Sequence, residues 1–237
     1  LRYDGTRWDV DTTVGAPVRA RVLVDATGRR AAVGRAVGAR RLTFDRLVGV
    51  AVTWIGTDPD DQHYLLVETG PDGWWYTAPL PGGRLVGTLM TDADLCRRAG
   101  LAKAAPWQQR LRTTTATAAR VGERAAEATP RVHPAVTARL VRHGDPRPWL
   151  AVGDAALAVD PVSGAGVLHA LRTAADAAGA VAAMLARPSS APALIGRYEA
   201  ARDDECTHHL VRRRFYYGSE RRYVSPFWLR RAAATST

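Results

Sequence analysis

The stretch "WLAVGDAALAVDPVSGAGVLHALRTAADAAGAV", residues 149–181, most constrains what this chain can fold into. It opens with an apolar run at 149–152 and continues through Gly-Asp into a loop holding Pro161, Gly164 and Gly166. A long Ala-rich run follows, and Pro188 closes it. A short apolar run bounded by turn residues predicts a buried parallel strand. Beyond Gly164 the spacing predicts a helix. Leu168, Leu171, Ala175, Ala178, Ala182 and Leu185 recur at alternating intervals of three and four, which would give one apolar face. His169, Arg172, Thr173 and Asp176 fall on the other side.

A strand, a Gly-Asp turn, a glycine loop and a helix have a chemical use in that order. A helix N-terminus presents N–H groups without intrahelical partners and a partial positive charge, so it attracts anions or developing negative charge. Gly164 and Gly166 lack a Cβ, which lets a flat ring or a phosphate approach the backbone. Pro161 stiffens the loop. Asp154, just past the strand, stands where a carboxylate accepts hydrogen bonds from sugar-like hydroxyls. A lone Gly-Asp reads as an ordinary turn. With Asp-Pro-x-Ser-Gly-x-Gly at fixed distance behind it, a ligand site is the stronger reading.

Elsewhere, "VRARVLVD" (18–25) reads as a strand ending at Asp25, followed by the turn "ATGRR". "RLVGVAVTWIG", "HYLLVET", "WWYTAPL" and "RLVGTLMT", between residues 46 and 91, read as four strands. The loop "TDPDD" (57–61) and the turns "GPDG" and "PGG" join them, which predicts an antiparallel meander. Helix-forming composition dominates from residue 92 to about 129, with Pro106 suited to a first turn. "TARLVR" (137–142) reads as another strand.

At 237 residues and 46% apolar content, the chain is long enough for one large domain or two small ones. It has no apolar run of about eighteen residues, and its start has no signal-peptide pattern. Cys96 and Cys206 form no metal or redox spacing, which predicts a reduced, cytoplasmic protein. The formal charge is +10, with Lys103 the only lysine. Arg- and Ala-rich composition also follows from GC-rich coding, so nucleic acid ranks below other partners. The histidines His208 and His209 are adjacent and point about 100° apart on a helix, so they do not share a metal. The run of arginines and aromatics between residues 212 and 223 could bind single-stranded nucleic acid, bind an acidic peptide, or pack within its own protein.

The motif "GDAALAVDPVSGAGVLHALRTAADAA" resembles the second flavin-binding motif of the FAD-dependent aromatic hydroxylase and flavin-dependent halogenase superfamily. "VLVDATGRR" (22–30) is similar to that superfamily's Asp-Ala-Thr-Gly segment. "GWWYTAPLPGG" (73–83) resembles the halogenase pattern Gly-Trp-x-Trp-x-Ile-Pro at Trp74 and Pro79, but carries Tyr76 for the second Trp and Ala78 for Ile. "FYYGSERRYVSPFWLRR" (215–231) resembles the tail of halogenase-like monooxygenases, including those that modify peptides during quinone cofactor formation.

The resemblance implies roles for particular residues. Asp154, after Gly153, would bind the ribityl chain of FAD. Pro161, Gly164, Ala165, Gly166 and Val167 would lie against the isoalloxazine ring, and Asp25, Ala26 and Gly28 would lie close to the cofactor. Trp74 and Tyr76 are candidate substrate contacts or alternating strand residues with one face in the core; His169, by its place on the first turn after the loop rather than by the resemblance, is a candidate contact to substrate or ring, or a packed or exposed helix residue. No catalytic acid or base and no metal ligand is implied. The fold implied is α/β: a Rossmann-like FAD/NAD(P)-binding domain at 1–44 and 137–188, an inserted antiparallel β substrate domain at 45–91, a helical segment at 92–136 and a C-terminal helical tail at 189–237. The G-x-G-x-x-G unit that holds the FAD pyrophosphate in this superfamily does not occur in the sequence, and "GRAVGAR" (34–40) is too late and too basic to replace it. The expectation is therefore the C-terminal part of a longer enzyme. That enzyme would be an FAD-dependent monooxygenase acting through a flavin hydroperoxide on a small aromatic or peptide-bound substrate, with reducing equivalents from NAD(P)H or a separate flavin reductase. The alternatives are a flavin-dependent halogenase and a non-catalytic binding module.

Overall fold

The computed structural model describes residues 1–56 and 63–232, so the loop expected at 57–61 lies outside the described residues. The chain begins with β1 (Arg2–Tyr3), β2 (Trp8–Val10), β3 (Val18–Ala20), β4 (Leu23–Asp25), a 3-10 turn at Gly28–Arg30, α1 (Ala32–Ala36) and β5 (Arg40–Thr43). Next come β6 (Leu47–Ile55), β7 (Leu66–Gly70), β8 (Gly73–Leu80), β9 (Arg84–Asp92), α2 (Ala93–Arg98), α3 (Ala104–Leu111), α4 (Ala116–Val121), β10 (Ala125–Ala126) and β11 (Arg131–Pro134). The last elements are β12 (Ala138–Val141), β13 (Trp149–Ala151), β14 (Leu157–Ala158), α5 (Gly166–Ala186), α6 (Ala191–Gly218) and α7 (Pro226–Ala232). Two compact units result. The first holds Leu1–Phe44 and Thr137–Arg213; the second holds the described residues of Asp45–Val136 and Arg214–Thr237.

In the first unit, β4 and β13 pair in parallel, with Leu23 opposite Trp149 and Asp25 opposite Ala151. Parallel pairing brings the turns that follow the two strands to one end, side by side. The strand expected over 18–25 is broken, because the chain bends at Arg21 and Val22. Its first half pairs with β2 and its second half with β13, so one extended segment serves two sheets. β12 pairs antiparallel with β5 and β14. On one side of β13, Leu150 and Val152 pack with Ala177 and Met184 of α5 and with Ile195 and Tyr198 of α6.

That packing corrects the expected helix face. Leu168 and Leu171 are 50% and 66% exposed, and Ala175, Ala178 and Ala182 also face outward. The buried stripe is Thr173, Ala177 and Met184. In so Ala-rich a helix many faces satisfy a three-four spacing, and a specific polar contact selects among them. Thr173 is fully buried because its Oγ1 accepts the Gly153 N–H at 2.8 Å.

Part of the arginine charge is paired inside this unit. Arg139 pairs with Glu199 at 2.6 Å and Asp203 at 3.0 Å, and Arg202 pairs with Asp176 at 2.8 Å and Glu205 at 3.0 Å. Both arginines are buried. The composition therefore overstates the charge available to a partner.

In the second unit the sheet order is β10-β6-β9-β8-β7, with β11 also on β6. The expected meander holds for β7, β8 and β9, but β6 pairs with β9 rather than β7. β6 and β9 are nine residues each and pair along their whole length, Leu47↔Asp92 to Ile55↔Arg84. The longest ladder thus wins over the shortest connection. Trp75 and Trp54 place their rings 5.1 and 5.5 Å from that of Trp107, whose Nε1 donates to the Val50 carbonyl at 3.1 Å. This cluster is the core on which α3 lies. The segment expected to be helical through 136 stops being so at Val121, where Gly122 takes φ 55°. Arg131–Pro134 then pairs with β6, Arg131↔Ala51 to Pro134↔Val48. A strand edge that needs partners overrides the helix propensity of that stretch.

Candidate cofactor site

The turns after β4 and β13 and the start of α5 enclose a cleft of about 710 Å³ in the first unit. Ala26 and Gly28 line it from the first turn, and Gly153 and Asp154 from the second. Pro161, Gly164, Gly166 and Val167 line it from the loop and helix start. Eight of the expected cofactor residues thus share one cavity.

Two others sit differently. Asp25 is fully buried, and its carboxylate accepts the Thr27 N–H at 2.9 Å, the Thr27 hydroxyl at 2.6 Å and the Gly34 N–H at 2.8 Å. It builds the turn that carries Ala26 and Gly28 and does not face the cleft. Ala165 does not line the cavity; its carbonyl accepts the His169 N–H at 2.8 Å and so starts α5.

The geometry of the helix start fits a flat, electron-rich group. No side chain caps α5, so its first N–H groups have no side-chain acceptor. A Cβ built at Gly166 meets no atom within 4 Å, which means the backbone there borders open space. Gly153 is under the opposite constraint. It sits at φ 54°, and a Cβ would lie 3.1 Å from the Ala170 Cβ, so only glycine lets the turn and α5 meet.

Asp154 and Arg29 are the titratable side chains that line the cleft. Arg29 Nε lies 3.1 Å from Asp154 Oδ2, and its Nη2 donates to the Val159 carbonyl at 3.1 Å. Sequence reasoning missed Arg29, although it directly follows Gly28 in the Asp-Ala-Thr-Gly-Arg run. Arg41 donates to the Arg29 carbonyl. Burial, with Arg29 and Arg35 nearby, pulls the Arg41 guanidinium below its ordinary pKa, against the pull of Asp154.

The expected substrate contacts are not in this cleft. His169 turns toward α6, where its Nδ1 lies 3.6 Å from Glu205 Oε2. Burial pushes its imidazole below the ordinary pKa and so favours the neutral ring, against the opposing pull of Glu205. Trp74 and Tyr76 share one face of β8 in the second unit, ring centroids 6.1 Å apart. Trp74 is buried and donates from Nε1 to the Tyr217 hydroxyl at 3.0 Å, while Tyr76 is half-buried. Among the described residues no cluster of three or more metal-ligating side chains occurs, and no helix is long and apolar enough to cross a membrane.

Gly166→Val separates a cofactor cradle from a plain helix start. Valine at 166 finds open space and is tolerated in a first helical turn, so the melting temperature should hold. A branched side chain would intrude on a bound ring by about 1–3 kcal/mol, an affinity loss of about 5–150-fold. Titration of FAD with calorimetry of both proteins checks this; normal FAD affinity in the variant would remove Gly166 from the contact surface.

The tryptophan halogenase family model matches residues 1–237. LodB of Marinomonas mediterranea, named as an FAD-dependent oxidoreductase, is 33% identical over 217 residues, covering 89% of this chain and 56% of LodB. The myxobacterial chondrochloren halogenase CndH superposes with TM-score 0.83 at 21% identity, over 98% of this chain and 56% of CndH. The flavin-dependent halogenase CmlS gives 0.81 at 19% identity, over 98% of this chain and 44% of CmlS. At these identities the two likenesses concern the fold. QhpG, a peptidyl tryptophan dihydroxylase essential for tryptophylquinone cofactor biogenesis, gives 0.73 at 28% identity, over 94% of this chain and 51% of QhpG. The chain spans about half the length of these relatives.

Proposed function

This chain belongs to the tryptophan halogenase family, and from that premise we propose that its cleft holds the ribityl and isoalloxazine end of FAD in an oxidoreductase that hydroxylates an aromatic group. The observation that carries the reading is one cavity lined by the Asp154 carboxylate, the glycines of both turns and the uncapped start of α5. Bound FAD supplies the redox chemistry with oxygen. Reducing equivalents come from NAD(P)H, directly or through a separate flavin reductase.

The chain's own residues bind and orient. Asp154 accepts hydrogen bonds from ribityl hydroxyls. Gly164 and Gly166 let the ring approach the backbone, and Pro161 keeps their loop in place. The first N–H groups of α5 favour negative charge on the ring's pyrimidine end. The two titratable groups of the cleft are paired with each other, which leaves exclusion of water and positioning as the protein's contribution. His169 faces Glu205, so it is not assigned a proton-transfer step.

The substrate is an aromatic group, either of a small molecule or carried by a peptide. The peptide version draws support from QhpG, at 28% identity. Halogenation is the second reading, favoured by the family model itself; Tyr76 and Ala78 in place of the expected Trp and Ile stand against it. The test supplies the intact gene product with FAD, NADH, a flavin reductase and oxygen, with and without bromide, and offers free tryptophan and tryptophan-containing peptides. A product heavier by oxygen regardless of bromide supports hydroxylation. A bromine isotope doublet only with bromide replaces it with halogenation.

A further inference from the structure

We propose that Arg29 is a positioning residue of the cofactor cleft, which fixes the Asp154 carboxylate in place for the flavin's ribityl chain; this rests on the reading of the cleft as an FAD site. Arg29 stands in the turn after β4, and its guanidinium reaches the turn after β13. One edge meets Asp154 Oδ2 at 3.1 Å from Nε, and Nη2 donates to the Val159 carbonyl at 3.1 Å. A planar guanidinium can hold these two acceptors at once in fixed relative positions, which an ammonium on a flexible stem does not. The backbone of the same residue is held in turn, because Arg41 donates to the Arg29 carbonyl. The bridge therefore spans the two neighbouring strand ends and sets where the carboxylate stands.

The pair is oriented for use by something else. Arg29 holds Asp154 by Oδ2, at 3.1 Å from Nε. Asp154 also lines the cavity with about a third of its side chain exposed. An ion pair with this much exposure adds little to folding stability. Its effect is on geometry: a carboxylate with one oxygen anchored presents the other in a defined direction. Ribityl hydroxyls are donors of the kind that would take it.

The experiment measures FAD dissociation constants and melting temperatures for the intact wild type, Arg29→Gln, Arg29→Lys, Asp154→Ala and the Arg29→Gln/Asp154→Ala double variant. Arg29→Gln is expected to weaken FAD about tenfold with little change in melting. Arg29→Lys should recover part of that loss, since it keeps the charge and loses the fork. In the Asp154→Ala background, Arg29→Gln should change affinity less than about twofold, because a group that acts through Asp154 has nothing left to position. Arg29→Gln that binds as tightly as wild type overturns the proposal. So do losses that multiply in full in the double variant, which would mean Arg29 meets the cofactor independently. If Arg29→Gln fails to fold, Arg29→Lys decides, and full wild-type affinity there overturns the proposal. Wild type that takes up no FAD is a different failure; it removes the FAD reading and this inference with it.

Discussion

Asp92→Ala is expected to destabilise the second unit by about 3–5 kcal/mol, a fall in melting temperature of roughly 6–20 °C. Asp92 ends β9 and stands at the start of α2, yet its carboxylate makes no cap bond. Oδ1 instead meets Arg231 Nη2 at 2.8 Å and Oδ2 meets Arg230 Nη1 at 2.8 Å, which ties α7 to the sheet. Asp92 and Arg231 are both only 3% exposed at the side chain. Alanine would take from the buried Arg231 guanidinium the carboxylate it meets at 2.8 Å, and the Phe227 carbonyl and the Phe227 and Tyr217 rings beside it carry no charge to replace that one. Removing one member of a buried pair costs far more than the pair contributes, because the other charge stays out of water. Differential scanning calorimetry reads the effect; a shift within about 2 °C would show that α7 is not held by this pair.

The same attachment should respond to acid. The hydrogen bond from Arg230 holds the Asp94 carboxyl down at about 2 against the effect of burial, and Arg222 holds Glu220 down at about 2. Unfolded carboxyls titrate near about 4. Folded values below unfolded values mean that this stabilisation is fully present above about pH 4 and is lost as pH falls toward 2. Protection of the α7 amides, taken relative to their intrinsic exchange rates, should therefore fall between those limits and hold its full value at neutral pH.

Asp154→Ala is expected to weaken FAD binding by roughly 1.5–3 kcal/mol, the usual effect of losing a hydrogen bond to a charged acceptor. The fold should not carry the loss. Asp154 and Arg29 are partly exposed, and Arg29 keeps the Val159 carbonyl after the substitution. Asp154→Asn should lie between the two, since it keeps an oxygen acceptor and loses the charge. Flavin retention after gel filtration, compared at equal melting temperature, distinguishes the three proteins. Equal retention in folded Asp154→Ala would take Asp154 out of the site.

The sequence made the cleft legible because its chemistry is local. Gly153, Asp154, Pro161, Gly164 and Gly166 lie within fourteen residues, and a strand followed by a helix leaves their turn few places to go. That "VLVD" ends in a turn beside the cofactor came from the resemblance, while its parallel pairing with β13 and the Asp25 carboxylate that braces its turn appear only in the structure. What the sequence concealed was long-range. Nothing local marks Arg29 as the partner of Asp154, 125 residues on. The buried face of α5 depends on Thr173 reaching the Gly153 N–H, which a hydrophobic period cannot see. The pairing of β6 with β9 follows from matching lengths across an intervening hairpin, and Arg131–Pro134 becomes a strand only because β6 offers it an edge.

The central claim is that FAD sits where the two strand-end turns meet the start of α5. Hydrogen–deuterium exchange of the intact gene product, with and without FAD, tests it most directly. The account predicts slower exchange on FAD binding at residues 26–29, 153–155 and 164–168, with the Trp54, Trp75 and Trp107 core of the second unit unchanged. FAD that binds while those three segments exchange as before would contradict it.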